Sequence, residues 1–243
     1  SPYSEDLRQL EHLAPVGFAF LLKYLSWAQA LGFALCAVLY ALLLSSRLFA
    51  ATQRPDEARF GFSPGKLWYA LSVFGLLSIF PRKTYIVVAV WANLSVGDAV
   101  SNLLGRNFGK RALPWNSHKT WLGLSGAFCA SSLAALGLIL WNGFPVRGSH
   151  PITYAAFLAL GTSLICSLAE TLPLPVNDNI TICVSGASFL SWFTIAVWPR
   201  NVDWASLAYG LAVSSAAAIV ACLLKTVSLS GALWGILFGV ITY

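Results

Sequence analysis

Long apolar runs separated by short polar loops leave this chain few ways to fold. They fall at residues 16–45, 67–80, 85–104, 120–141, 152–172, 180–198, 204–224 and 229–243. Inside hydrocarbon every backbone N–H and C=O must be bonded within its own helix or within a closed barrel. Most of these runs approach the length a helix needs to cross a bilayer and are too long for barrel strands. The expected fold class is therefore all-α, a polytopic helical membrane protein with about eight transmembrane segments. Composition agrees, because 58% of the 243 residues are hydrophobic and only 10% are charged. The run at 67–80 is short and stops at Pro81, a helix breaker. The last run meets the chain end without a polar flank, as expected of a piece of a longer protein.

The polar residues between the runs orient the chain. If the segments alternate, loops 46–66, 105–119, 173–179 and 225–228 share one side. They carry nine cations: Arg47, Arg54, Arg59, Lys66, Arg106, Lys110, Arg111, Lys119 and Lys225. The opposite loops carry four, Arg82, Lys83, Arg147 and Arg200. The first set is expected to be cytoplasmic, with the N-terminus outside. The net charge of +6 thus lies in short loops, with no basic domain that would suit nucleic acid. The opening segment, residues 1–15, is polar and mildly acidic, unlike the basic start of a signal peptide. Five cysteines lie in apolar runs without metal-ligand spacing, and His12 and His150 read as isolated interface or loop residues.

Two polar stretches stand out. From Gly97 to Gly123 the chain reads GDAVSNLLGRNFGKRALPWNSHKTWLG. Asp98, Ser101, Asn102 and Gly105 share one face if the preceding run is helical. A carboxylate, hydroxyl and amide on that face can hold a hard cation such as Mg²⁺. Gly105 and Gly109 would let backbone N–H groups approach an anion, and Arg106, Lys110, Arg111 and Lys119 supply charge for phosphates. A helix opening at Lys119-Thr120 would add its N-terminus to that site. A basic loop that only orients the protein is the alternative. The second stretch, AETLPLPVNDNIT from Ala169 to Thr181, falls on the same side of the membrane. There Glu170 ends a helix, and Pro173 and Pro175 turn the chain before Asp178 and Asn179. A helix cap would account for Asp178 and an interhelical ion pair for Glu170. A single site, with three acids on metal and cations on polyphosphate, accounts for all of them together.

These residues resemble the signature of the phytol kinase and dolichol kinase family of CTP-dependent polyprenol kinases. The resemblance is carried by Gly97-Asp98, Gly105-Arg106-Asn107-Phe108-Gly109, Leu113 to Asn116 and Lys119 to Gly123. It continues in Glu170-Thr171-Leu172-Pro173 and Asn177 to Thr181, so it covers about residues 65–185. Departures fall at Ser101, Asn102 and Asn177, where the family usually has Ala, Asp and Asp; two carboxylates are lost. The resemblance implies Mg²⁺ at Asp98, Asn102, Glu170 and Asp178. It implies CTP at Gly105, Arg106, Gly109, Lys110, Asn116, Lys119, Thr120 and Asn179. Asp98, Glu170, Asp178 and Lys119 would carry catalysis, and His118 is a weaker candidate for the base.

Residues 225–243 resemble the opening of the phytyl-phosphate kinase family, so a fused or associated partner of that kind is expected. A glycine-rich packing helix with Gly231 and Gly235 is the alternative. The expected unit over residues 16–224 is thus a membrane-embedded kinase. Its substrates would be a nucleoside triphosphate and a long-chain isoprenoid alcohol drawn from membrane lipid. The location expected for it is a bacterial inner membrane, with the site facing the cytoplasm. Its rivals are a cytidylyltransferase making a CDP-lipid and a transporter whose intramembrane acids bind ions.

Overall fold

The apolar runs fold as helices, and the few polar residues within them decide where each helix begins. The computed structural model describes residues 5–44, 61–81, 83–143 and 151–197, with short pieces between 211 and 219. The helices are α1 (Glu5–Leu13), α2 (Val16–Leu21), α3 (Trp27–Leu43), α4 (Pro64–Ile79) and α5 (Thr84–Ala92). A π-helical turn, Asn93–Gly97, joins α5 to α6 (Asp98–Phe108) without a break in the helix. A hairpin of β1 (Ala112–Leu113) and β2 (Asn116–Thr120) leads into α7 (Trp121–Asn142), followed by α8 (Pro151–Thr171) and α9 (Asp178–Val197). The chain divides into two compact units, Ser1–Ala187 and Ser188–Tyr243. In the second, Phe189 and Phe193 on the last turns of α9 place their rings 5.8 Å apart.

Three expectations change. Residues 16–45 form two helices, because Ser26 starts a new one. The Ser26 backbone N–H donates to the Gln29 side chain at 2.9 Å, and the Gln29 N–H donates to Ser26 Oγ at 3.3 Å. This reciprocal capping box satisfies donors that would otherwise be orphaned at the start of α3. Within the polar segment before residue 16, Glu5–Leu13 is itself helical, with Arg8, Gln9 and His12 buried. The all-α expectation holds apart from the hairpin. Its strands are antiparallel, pairing Ala112 with Thr120 and Leu113 with Asn116.

Among the described residues, three helices are long and apolar enough to cross a membrane: Thr84–Phe108, Trp121–Asn142 and Pro151–Thr171. The eight expected segments are not all seen as such. Most of the run at 204–224, the run at 229–243, the terminal segment 225–243 and most of loop 46–66 lie outside the described residues.

Thr84–Phe108 forms the centre. Ile86, Val88, Ala89, Val90 and Leu94 are wholly buried along it. Helix α7 packs against α5, the π turn, α6 and α8. Its approach to α6 is close, since a Cβ on Gly123 would lie 2.9 Å from the Ser101 carbonyl oxygen. The two backbones therefore touch where α7 begins, which sets the hairpin against the end of α6.

Candidate active site

The π turn lies just before the buried acid. Such turns insert one extra residue and loosen the normal helical bonding, and they are frequent at functional sites. Within it Asn93 Nδ2 donates to the Ala89 carbonyl at 2.9 Å. Ser95 Oγ donates to the His12 carbonyl at 2.7 Å, which ties α1 to this point. Asp98 follows as the first residue of α6 and is buried. Asn102, one turn later on the same face, donates through Nδ2 to Asp98 Oδ1 at 2.9 Å. The i, i+4 spacing read from the sequence thus becomes a direct bond.

The hairpin meets the second polar stretch. Lys119 Nζ lies 2.6 Å from Glu170 Oε1, with the glutamate almost wholly buried. One residue on, Trp115 Nε1 donates to Thr171 Oγ1 at 3.1 Å, and Asn116 Nδ2 donates to the Thr171 carbonyl at 3.0 Å. That carbonyl is in the last turn of α8, where helical carbonyls lack partners within the helix. Asn116 therefore closes the end of α8 while the strand behind it delivers Lys119 to Glu170. Glu170 thus makes a buried ion pair, but its partner comes from a strand and not from another helix. Burial opposes the charge on Lys119, yet Glu170, followed by Asp98 and Asp178, outweighs it and holds the ammonium above its ordinary range.

The remaining expected residues are distributed around this pair. The charges acting on Asp98 are those of Glu170, Asp178, Lys119 and Arg8, so both stretches and α1 contribute to one cluster. Asp178 is exposed. Capping at the start of α9 also involves Asn177, whose Oδ1 accepts from the Asn179 N–H at 3.1 Å, alongside Asp178 Oδ1 at 3.0 Å. Asn179 is buried and donates through Nδ2 to the Gly65 carbonyl at 3.3 Å, tying α9 to α4. Arg106, Lys110, Arg111 and His118 are exposed around the hairpin.

The glycines do not form the expected phosphate turn. Gly105 lies inside α6 and faces Thr120 and Gly123, while Gly109 ends the helix where a Cβ would strike the Gly105 carbonyl and Thr120. Thr120 does not lie within the helix either. It caps α7, accepting the Gly123 N–H at 3.1 Å.

Among the described residues, no three acidic, histidine or cysteine side chains converge on a single metal position. Asp98 and Asn102 nevertheless place a carboxylate and an amide side by side. Mg²⁺ commonly takes one or two carboxylates and completes its shell with water and substrate phosphates. The pair therefore fits an ion carried on a nucleotide, and does not form a closed cage. Sequence reasoning missed Arg8, although Arg8, Glu11 and His12 share one face of the first helix at i, i+3 and i+4.

Comparison with known proteins finds relatives over about half of the chain. It is 30% identical over 126 residues to farnesol kinase, chloroplastic, of Arabidopsis thaliana, which is 51% of this chain and 40% of that protein. It is 31% identical over 121 residues to probable phytol kinase 2, chloroplastic, of Oryza sativa subsp. japonica, covering 49% and 39% of the two. Phytol kinase 1, chloroplastic, of Arabidopsis thaliana is 25% identical over 134 residues, covering 53% of this chain and 43% of that protein. No protein-family model and no solved structure matches the chain. The similarity to phytol kinases expected from the motifs is therefore present and extends to a farnesol kinase, while the matched part is less than half of each relative. These relatives are plant chloroplast proteins, so they give no support to the bacterial inner membrane expected above.

Proposed function

We propose that this chain, similar over half its length to farnesol and phytol kinases, transfers the γ-phosphoryl group of a nucleoside triphosphate to an isoprenoid alcohol. The observation that carries this reading is the Lys119–Glu170 contact, which joins the cationic hairpin to the acidic turn. The first stretch carries the cations and one acid, Asp98, and the second adds Glu170 and Asp178. Phosphoryl transfer asks the protein mainly for positioning and charge neutralisation, so no protein nucleophile is required.

In this reading Lys119, held protonated, meets the transferring phosphate, while Arg106 and Lys110 neutralise the rest of the chain of phosphates. Asn116 and Thr120 keep the strand of Lys119 in place from either end. Asp98 and Asn102 would hold Mg²⁺, whose contribution when bound is to neutralise charge on the phosphate oxygens. The alcohol proton leaves to a carboxylate of the cluster. CTP as donor rests on the family resemblance, and a cytoplasmic site rests on the loop charges. A membrane setting suits an alcohol whose tail belongs in lipid and whose hydroxyl must reach a soluble nucleotide.

Incubating the purified full chain with labelled CTP, ATP or GTP and a panel of prenols tests the proposal. A kinase yields the prenyl monophosphate and a nucleoside diphosphate. Release of pyrophosphate with a CDP-lipid would establish the cytidylyltransferase in its place.

A further inference from the structure

A cavity of about 360 Å³ lies among α1, α3, α4 and α5, separate from the Lys119–Glu170 pair. That volume is toward the lower end of the range of about 300–1,000 Å³ usual for small-molecule pockets. Its space comes from α3, where Ala30, Ala34, Ala37 and Ala41 fall at i, i+4, i+7 and i+11 on one face. The lining is otherwise largely apolar, and the polar groups include one bonded cluster. Lys66 Nζ lies 2.7 Å from Glu11 Oε2, and Tyr40 Oη donates to Glu11 Oε1 at 3.1 Å.

His12 lines the same cavity, next in sequence to Glu11. Its ring packs edge-on against Tyr69, with centroids 5.3 Å apart. Its Nδ1 is buried and has no hydrogen-bond partner. A buried polar atom in this condition costs free energy until something bonds to it. Burial, with Arg8 next, pushes the imidazole down to about 4, so near neutral pH the ring is uncharged and suited to a neutral hydroxyl.

The position of His12 connects the cavity with the acid cluster. Its carbonyl accepts from Ser95 Oγ, one helical turn before Asp98. On the other side Lys66 follows Gly65, whose carbonyl holds Asn179 beside Asp178. The polar lining of the cavity therefore borders both acid-bearing elements of the proposed site.

We infer that the cavity receives the hydrocarbon chain of the acceptor alcohol and that its hydroxyl bonds to His12 Nδ1. The inference rests on the kinase reading and adds to it the place and class of the lipid substrate: one linear isoprenoid chain of farnesyl to phytyl size. A dolichol-length chain would leave most of itself outside.

A diazirine analogue of farnesol, photolysed with the purified full chain and mapped by peptide sequencing, tests it. Labels should fall on α3 and α4, and excess phytol should suppress them. Ala37→Trp, which fills the cavity, should cut labelling about tenfold or more. His12→Phe keeps the ring contact but removes Nδ1, and should weaken prenol binding by roughly two- to tenfold without moving the KM for nucleotide. A competition series on the unmodified chain needs no variant: phytol should compete better than a single-unit prenol. Labels spread over the outward residues Leu133 and Phe157, with equal competition by short and long alcohols, would overturn the inference. Labelling in the cavity with no phosphate transferred from any nucleotide would support an isoprenoid site and overturn the kinase reading instead.

Discussion

Thr84–Phe108 and the helices Trp121–Asn142 and Pro151–Thr171 are alike in length and apolar character, yet their surroundings differ. In an apolar 18-residue stretch of the first, 78% is buried within the protein, against 39% and 44% in such stretches of the other two. All three bury polar side chains, Asn93, Ser95, Asp98 and Ser101 in the first, Ser131 and Ser132 on α7 and Thr162, Ser163 and Ser167 on α8, but Leu133 on α7 and Phe157 and Leu164 on α8 also face outward. An ionisable group within a span costs a few kcal/mol unless protein or water surrounds it. The enclosed helix can therefore carry the acid, and its neighbours provide the apolar shell. Helix α8 combines the two cases, with an outward apolar surface along its length and a buried Glu170 at its end.

The comparison breaks most sharply at Asp98. Asp98→Asn keeps the size and the place of the bond to Asn102 while removing the charge. Turnover is expected to fall by about a hundredfold or more, with helix content by circular dichroism unchanged. Near-normal turnover would make the enclosed acid structural.

Lys119→Ala comes next. A charge-assisted contact of this kind is worth about 1.5–3 kcal/mol, or roughly ten- to a hundredfold in kcat/KM for the nucleotide. The prenol KM should hardly move. The Lys119 pKa is raised in the folded chain, so its contribution to stability is complete below the ordinary lysine range and is lost as pH climbs through the folded value. Thermal unfolding in detergent, followed upward through the alkaline range, should show this loss in the parent and not in Lys119→Met.

Gly123→Val probes the contact between the enclosed helix and its neighbour. The new side chain meets the Ser101 carbonyl, so a loss of about 1–3 kcal/mol is expected in detergent unfolding. Leu133→Ala, on the outward face of the same helix, should change stability by no more than about 0.5 kcal/mol. Equal effects at the two positions would mean that α7 has no inward and outward side.

Much of this contrast was legible in the residues. The runs at 120–141, 152–172 and 180–198 became α7, α8 and α9 with small shifts, because periodic apolar sequence between clear breakers leaves little choice. The shared face of Asp98 and Asn102 was legible because helical spacing is local, and the placing of the two polar stretches on one side followed from the alternation of the segments. The break before α3 was written in Ser26-Trp27-Ala28-Gln29, a capping signal hidden inside an apolar run. The hairpin was not legible, since Lys119 reads equally as the first turn of a helix until Asn116 is seen bonded to the end of α8. Nor was the role of Gly105 and Gly109, because close approach depends on Thr120 and Gly123, which come from another element.

The central claim is that the hairpin and the acidic turn act as one site, and a double-mutant cycle on Lys119 and Glu170 tests it most directly. Lys119→Ala, Glu170→Gln and the double variant would be compared by kcat/KM for the nucleotide. The account predicts that the double variant loses little more than either single one, with an interaction energy of about 0.5–3 kcal/mol. Losses that add to within about 0.5 kcal/mol would contradict it, showing that the two charges touch in the structure but serve separate purposes.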